Sequence, residues 1–504
     1  MILLRMYWII PWQIGSNMIY QLILNIYLFS LLVVGLFSVE AVYLTYKYLR
    51  GRKNTINKQD TDFLPKVTIQ LPIYNELYVA ERLIQTVCSI NYPREKLQIQ
   101  VLDDSDDITT DICTRQIVKY KKQGFNISLI RRGNRNGFKA GALREGLQTA
   151  EGELIAIFDA DFLPPQDFLK KTVPLFVDPA IGMVQTRWDH LNENFSLLTK
   201  AQAFGLAGHF VVEQKGRNSA GCFMNFNGTA GIWRKVCIED AGNWQEDTLT
   251  EDLDLSYRAQ MKGWRFIFLN DVVTPAELPA EINALKNQQY RWTKGTVETA
   301  LKILPKLWKS NLTLKLKLHS TLHLTNNFVY PFILILALLN LPLIIIKSHL
   351  PESEIYFVIF SIFTLSFGAS FFFYALSQKS LYKDWKTRML LFPVFMSGSM
   401  GFSINNTRAV LQGLFKLRTP FIRTPKYEII DTKGSFSGKK YSMSTDKMVI
   451  MEILMSLYSC LGVVLAVYYF EIGIIPFMLM FFVGFSLIGY LSIKHHLNLK
   501  YGRT

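Results

Sequence analysis

The stretch Leu154-Ile155-Ala156-Ile157-Phe158-Asp159-Ala160-Asp161 decides the fold. This short apolar run reads as a strand that delivers two carboxylates, one residue apart, to its end. Alternate strand residues share a face, so Asp159 and Asp161 leave its end on the same side. Two carboxylates so placed suit a hard cation, which takes oxygen ligands and completes its shell with substrate phosphates. An isolated D-x-D carries little information, and the rest of the chain has to supply the context.

Working outward, Lys66–Leu71, Leu97–Leu102 and Ile127–Ile130 are further short β-branched runs, and Glu76–Ser89 and Thr109–Gly124 have helical patterns between them. Strand alternating with helix predicts an α/β domain around a parallel sheet. Ligands of such sheets bind beyond the carboxyl ends of the strands. Polar clusters lie at those ends. Asp103-Asp104-Ser105-Asp106-Asp107 follows one strand directly. Asp103 and Asp104 read as ligand-binding, and Asp106 and Asp107 as a solvated helix cap. Arg131–Gly141, RRGNRNGFKAG, offers glycines for close backbone approach and Lys139 for a phosphate, without the Walker pattern of an ATPase. Thr250-Glu251-Asp252 opens an amphipathic stretch, with Thr250 as its N-cap and the acids at the positive helix end. Gln288-Gln289-Tyr290-Arg291-Trp292 puts an amide, a cation and an indole on one helical turn, which suits a diphosphate and a sugar ring, or an Arg–Trp packing pair.

The 504 residues are half hydrophobic, and the formal net charge is +15. The apolar content is uneven. Met18–Tyr46, Asn327–Ile346, Ile355–Leu376, Met448–Phe470 and Ile472–Ile493 are each long enough to span a bilayer. Met389–Ile404 is short and broken by Pro393, Gly398 and Gly401. The basic segments Lys379–Arg388 and Lys416–Lys440 flank it, and positive loops stay on the cytoplasmic side. Residues 389–415 are therefore expected to be re-entrant or interfacial. Five crossings then leave the soluble domain, both basic loops and the tail 494–504 in the cytoplasm. Residues 1–17 and 299–319 read as interfacial segments, 60–298 as the catalytic domain, and 324–376 and 448–493 as two spans each. Cations placed beside apolar spans point to anionic lipid, so the bilayer is an expected partner and nucleic acid is not. The five cysteines form no C-x-x-C pair, which argues against a zinc site or a disulfide framework.

In this order, Asp103-Asp104, Asp159/Asp161, Thr250-Glu251-Asp252 and Gln288/Arg291/Trp292 resemble the motif series of processive family 2 glycosyltransferases of the cellulose synthase superfamily. LPIYNE, RRGNRNGFKAGAL, FNGTAGIWR and ELPAEINALKNQQYRWTKG are most similar to cellulose synthase-like mannan synthases, xyloglucan-backbone glucan synthases and their bacterial relatives. The resemblance implies an α/β GT-A, Rossmann-like domain embedded between transmembrane helices. It implies Tyr74 and Glu76 beside the base and ribose of a nucleotide-sugar donor, with Asp103, Asp104, Lys139, Asp159, Gln288 and Arg291 around the rest of the nucleotide. Asp159 and Asp161 would hold Mg²⁺ or Mn²⁺. Asp252 would be the general base. Trp292, Phe226, Asn227, Gly228, Thr229 and Glu251 would face the polysaccharide acceptor. The segment 416–446 contains Phe421-Ile422-Arg423-Thr424-Pro425-Lys426, which resembles the family's gating loop through Phe421, Thr424 and Lys426, with Arg423 where valine is usual. No regulatory domain for cyclic dinucleotides is expected within the chain.

The expected activity is inverting β-glycosyl transfer from UDP-glucose or GDP-mannose to a growing glycan, secreted through the chain's own channel, in a bacterial cytoplasmic membrane with the catalytic domain inside the cell. The alternative within enzymes is a single-step transferase making a glycolipid. A transporter with an accessory domain is the alternative outside them; the uncharged spans and the lack of an inverted repeat speak against it.

Overall fold

The computed structural model describes residues 2–51, 63–349, 354–441, 443 and 446–501, with side chains from 18–51, 63–347, 366–441, 443 and 446–497. Seven strands form one sheet: β1 Val67–Ile73, β2 Leu97–Asp103, β3 Asn126–Ile130, β4 Leu154–Ile157, β5 Ile181–His190, β6 Gly231–Arg234 and β7 Arg265–Ala276. Their spatial order is β3-β2-β1-β4-β6-β5-β7. The central strands are covered on both faces, as parallel strands require, so they read as continuous Val/Ile/Leu runs. The polar residues that interrupt them are paired across strands. Thr68 Oγ1 donates to Gln98 Oε1 (2.7 Å), and Gln70 Nε2 to Gln100 Oε1 (3.0 Å).

The sheet is not wholly parallel, contrary to expectation. β6 runs antiparallel to both β4 and β5. The reason is local. The segment 225–230 crosses the carboxyl end of β4 and enters β6 from that end, so β6 must run back. This brings the loop against the acids: Asp159 N donates to Thr229 Oγ1 (2.9 Å) and Ala230 N to Ile157 O (2.9 Å). The helix expected from Glu76 begins only at Ala80, because Asn75 adopts a left-handed φ of 53° that ends the strand in a turn and keeps Glu76 in the loop above the sheet.

The helix Ile282–Lys309 is a single 28-residue element that carries Gln288, Arg291 and Trp292 near its start. The stretch 299–319 is thereby divided between its second half and the next helix, Leu314–Thr325. Among the described residues four segments are long and apolar enough to cross a membrane: Met18–Arg50, Leu314–Lys347, Val449–Tyr468 and Ile475–Leu497. The expected span Ile355–Leu376 lies in the helix Glu354–Leu381, whose side chains before Ser366 are outside the described residues. The broken segment forms the helix Phe392–Gly401, followed by Ser403–Leu414. Gly401 backs onto the C-terminal helix so closely that a Cβ there would stand 2.5 Å from Gly484 O, a small-residue contact typical of packed membrane helices.

Candidate active site

Beyond the carboxyl ends of β1, β2 and β4 lies a cleft of about 250 Å³. Tyr74, Glu76, Asp104, Lys139, Asp159, Asp161, Asn227, Gly228, Glu251, Asp252, Gln288, Arg291, Trp292, Phe421, Thr424 and Lys426 all line it. Acids that are far apart in sequence therefore meet around one space. Three other residues singled out from the sequence lie behind its wall. Asp103, 1 % exposed, accepts from Ser105 N (3.0 Å) and Thr110 Oγ1 (2.7 Å), which shapes the acidic loop. Phe226 is buried against Trp233. Thr229 is 1 % exposed and supports the Asp159 backbone. Each is buried while a neighbour, Asp104, Asn227 or Gly228, lines the cleft.

Cations already accompany the carboxylates. Arg132 grips Asp104 through two guanidinium nitrogens, with Nε at 3.0 Å from Oδ1. Lys139 Nζ lies 2.5 Å from Asp159 Oδ1 and 2.9 Å from Gly228 O. Lys426 Nζ lies 2.7 Å from Asp161 Oδ2. Burial opposes the charge on both lysines, but Asp159 and Asp161 outweigh it and hold their pKa values above the ordinary range.

Asp159 and Asp161 fit a divalent metal ion. Both offer hard carboxylate oxygens, and Lys139 and Lys426 occupy the positions where a cation is electrostatically called for. Among the described residues no group of three or more His, Cys, Asp or Glu side chains could hold a metal by itself.

Asp252 lies in the first turn of the helix Glu251–Met261, facing Gly228, whose φ of 79° disfavours any side chain; a Cβ there would stand 3.0 Å from Asp252 Oδ2. Burial, and secondarily Glu251, push the Asp252 carboxyl up to about 7. Burial likewise raises Glu251, and takes Glu76 up to about 8. Thr250 does not cap this helix through its side chain; its hydroxyl pairs with Thr299 Oγ1 at 3.1 Å, tying the helix to Ile282–Lys309.

The loop after Leu414 lies across the cleft. Phe421 stacks on Phe138 (ring centroids 4.7 Å), Arg291 Nη2 donates to Thr424 Oγ1 (3.0 Å), and Arg423 pairs with Glu76 (3.1 Å). Glu277 anchors the loop from below by accepting from Tyr427 N and Glu428 N, each at 2.8 Å. Arg135, Phe138, Trp188, His190, Glu277 and Arg423 line the cleft as well, although motif reading did not assign them roles. Trp188 and His190 end β5 as Asp159 follows β4, so the strand-end argument could have found them. Glu277 and Arg423 had no comparable local signal.

Leu206, Gln288 and Trp292 border both this cleft and a second cavity of about 550 Å³, and Ser399 borders both that cavity and a third of about 460 Å³ among the apolar helices.

Two family models match the chain: Glycosyltransferase like family 2 over residues 65–295 and Cellulose synthase over residues 237–475. The chain therefore carries a glycosyltransferase domain similar to family 2, and its similarity to cellulose synthase runs on from that domain to residue 475. It is a multi-pass membrane protein with a GT-A-like domain between its helices. Its curated relatives include probable glucomannan 4-beta-mannosyltransferase 11 of Oryza sativa subsp. japonica, 41 % identical over 271 residues covering 53 % of this chain and 47 % of that protein. Glucomannan 4-beta-mannosyltransferase 7 of Arabidopsis thaliana is 40 % identical over 251 residues, 49 % of this chain and 45 % of that protein. The chain spans about half the length of the curated relatives it matches. These are plant proteins, so the expectation of a bacterial membrane finds no support among them. Among solved structures, a mannosyltransferase from Pyrobaculum calidifontis in complex with GDP-Man and Mn²⁺ shares the fold, with a TM-score of 0.55 and 20 % identity over 79 % of this chain and all of the other.

Proposed function

We propose that this glycosyltransferase moves mannose from GDP-mannose to the end of a growing β-1,4-linked glycan, and that the glycan leaves through the cavities between its membrane helices. The donor is argued from the glucomannan mannosyltransferases at about 40 % identity. The observation that carries the reaction is the meeting of Asp104, Asp159, Asp161, Asp252, Arg291 and Trp292 around one cleft, with Trp292 also bordering a second cavity.

In this reading the diphosphate lies between Lys139, Arg291 and the Asp159/Asp161 pair, which would hold Mg²⁺ or Mn²⁺. The bound ion would neutralise charge building on the leaving diphosphate. Lys139 and Arg291 act on the same charge from fixed positions, at no reorganisation cost during the reaction. Tyr74 and Glu76 lie toward the nucleoside. Asp252, on the side of Gly228 and Asn227, takes the proton of the attacking acceptor hydroxyl. Its raised pKa suits a base working near neutrality. Attack opposite the diphosphate inverts the α-linked donor to a β-linkage. Trp292, at the junction of cleft and second cavity, gives the acceptor ring an aromatic face. The bilayer, the acceptor glycan and the nucleotide sugar are the partners of this scheme. The catalytic domain and the loop 416–446 then lie on the cytoplasmic side, and 389–415 is re-entrant.

Several polar groups suit a passage for a glycan. Tyr27 donates to Asn340 (2.9 Å), Lys347 pairs with Glu471, and Ser38, Ser366, Ser370 and Ser399 line the third cavity with them. A purely structural helix bundle has little use for such groups in an apolar setting. The test is purified protein with labelled GDP-mannose or UDP-glucose, followed by digestion of the product with linkage-specific glycosidases. A mannanase-sensitive polymer made only from GDP-mannose is expected. Incorporation from neither donor would overturn the reading.

A further inference from the structure

Asn227 faces the cleft with an amide nitrogen that is buried and has no protein partner. Its oxygen is doubly engaged. Asn225 Nδ2 donates to Asn227 Oδ1 at 2.8 Å, and His209 Nε2 lies 3.1 Å from the same oxygen. Turning the amide over would set its NH₂ against the Asn225 NH₂, which favours the orientation that leaves the buried Asn227 NH₂ as the donor still without a partner.

His209 is itself held. Its Nδ1 lies 2.9 Å from Glu213 Oε2, four residues on, within the π-helical stretch Gly208–Gln214. Single π turns inside helices recur at functional sites. Gln214 of the same stretch fixes Asn225, its Nε2 donating to Asn225 Oδ1 at 3.1 Å. Burial works against a charged imidazole, but the Glu213 carboxylate overrides it and raises the His209 pKa. Glu213 Oε2 faces Nδ1 and Asn227 Oδ1 faces Nε2, so both ring nitrogens meet oxygens that accept, an environment that suits a donor at each. The chain of charges continues. Arg217 Nε donates to Glu213 Oε1 (3.1 Å), and its Nη1 lies 3.6 Å from Glu40 Oε1. Glu40 is 6 % exposed on the first membrane helix, and its other oxygen meets His319 Nδ1 at 2.7 Å. A carboxylate on a membrane helix is costly unless it is used.

We infer that His209 is a positioning residue: by donating to Asn227 Oδ1 it sets the Asn227 NH₂ as the donor for an acceptor hydroxyl, and the Glu213–Arg217–Glu40–His319 chain fixes that setting to the first membrane helix. The inference rests on the proposed function, because it needs an acceptor glycan in the cleft. It assigns the acceptor's second contact, beside Trp292, to a group whose polarity is decided by a residue outside the cleft. The contact asks for an acceptor oxygen with a free lone pair at that position, which a sugar hydroxyl supplies.

The two imidazole nitrogens can be tested separately. Glutamine's amide nitrogen reaches the place of Nε2, and asparagine's the place of Nδ1. His209→Gln therefore keeps the bond to Asn227, while His209→Asn keeps only the side facing Glu213. Full-length protein in detergent is assayed for binding of fluorescent GDP and for KM toward a β-1,4-manno-oligosaccharide. Asn227→Ala is expected to raise the acceptor KM about tenfold, the worth of one hydrogen bond, with GDP affinity unchanged. His209→Asn should follow it, His209→Gln should stay within about twofold of the wild type, and His209→Asn combined with Asn227→Ala should be no worse than Asn227→Ala alone. Additive losses in the double variant, or His209→Asn performing as well as His209→Gln, would overturn the relay while leaving the proposed function standing. A wild-type protein that binds GDP yet transfers to no β-glycan would overturn both.

Discussion

Replacing Asp252 by Asn keeps the size of the side chain and removes both its charge and its basicity. Asp252 Oδ1 accepts from Leu253 N at 2.8 Å, a bond the amide oxygen can keep, so the helix start should survive. A positioned general base is worth about 10²–10⁴ in rate, so kcat should fall by that factor, about 2.7–5.5 kcal/mol in the barrier. GDP affinity should hold, because Asp104, Lys139 and Arg291 are untouched. The stability change has the opposite sign. The folded pKa of Asp252 is raised to about 7, above the roughly 3.9 of an unfolded aspartate. The folded protein therefore holds this proton more tightly. Stability from that preference is complete below about pH 4 and is lost as pH rises through about 7. The wild type thus bears the buried charge at pH 8, and Asp252→Asn does not. Thermal unfolding in detergent should show the variant more stable at pH 8, with the difference closing toward pH 4. Wild-type kcat should rise with pH to a plateau above about 7. An Asp252→Asn enzyme with kcat within a few-fold of the wild type would refute the base assignment, and one less stable at pH 8 would refute the electrostatic reasoning.

Three further outcomes are expected. Gly228→Ala should lose most transfer, since the left-handed φ costs about 1–2 kcal/mol and the new methyl presses on Asp252; acceptor-dependent turnover at unchanged GDP binding checks it. Chelation should abolish transfer and added Mn²⁺ should restore it, and Asp161→Asn should shift half-saturation to higher Mn²⁺, read from metal titrations of activity. Glu452→Ala should destabilise the protein by about 3–5 kcal/mol, because Glu452 (1 % exposed) pairs at 2.5 Å with Lys286 (4 % exposed) two residues before Gln288, and the lysine would be left buried and uncompensated; denaturant unfolding measures it.

How much of the site could be read beforehand follows the range of the interactions. Asp159, Asp161 and Lys139 were legible because a strand end and a glycine-rich turn are local events with local residue signatures. The antiparallel β6 was not, since strand direction there is set by where the segment 225–230 has to cross, and nothing within Gly231–Arg234 encodes that. Thr250 fitted a cap by composition, yet its hydroxyl found Thr299, 49 residues on. Glu277, Arg423 and His209 gain meaning only from partners more than a hundred residues away or across the cleft, or in the case of His209 from an irregular helix turn that no residue pattern announced.

The order of hydrophobic runs, strand-end acids and basic flanks determined, by itself, an α/β domain set between membrane helices and most of the residues that line the cleft at its strand ends. Periodicity and polarity are short-range properties, and a linear reading captures them. Only the tertiary structure decided that Asp103, Phe226 and Thr229 turn away from the cleft, that Lys426 reaches Asp161 from a loop 265 residues further on, and that Glu40 on the first membrane helix is wired to Asn227. Those outcomes depend on which surfaces meet when the chain closes on itself, and burial and charge pairing choose among side chains that look alike in the sequence.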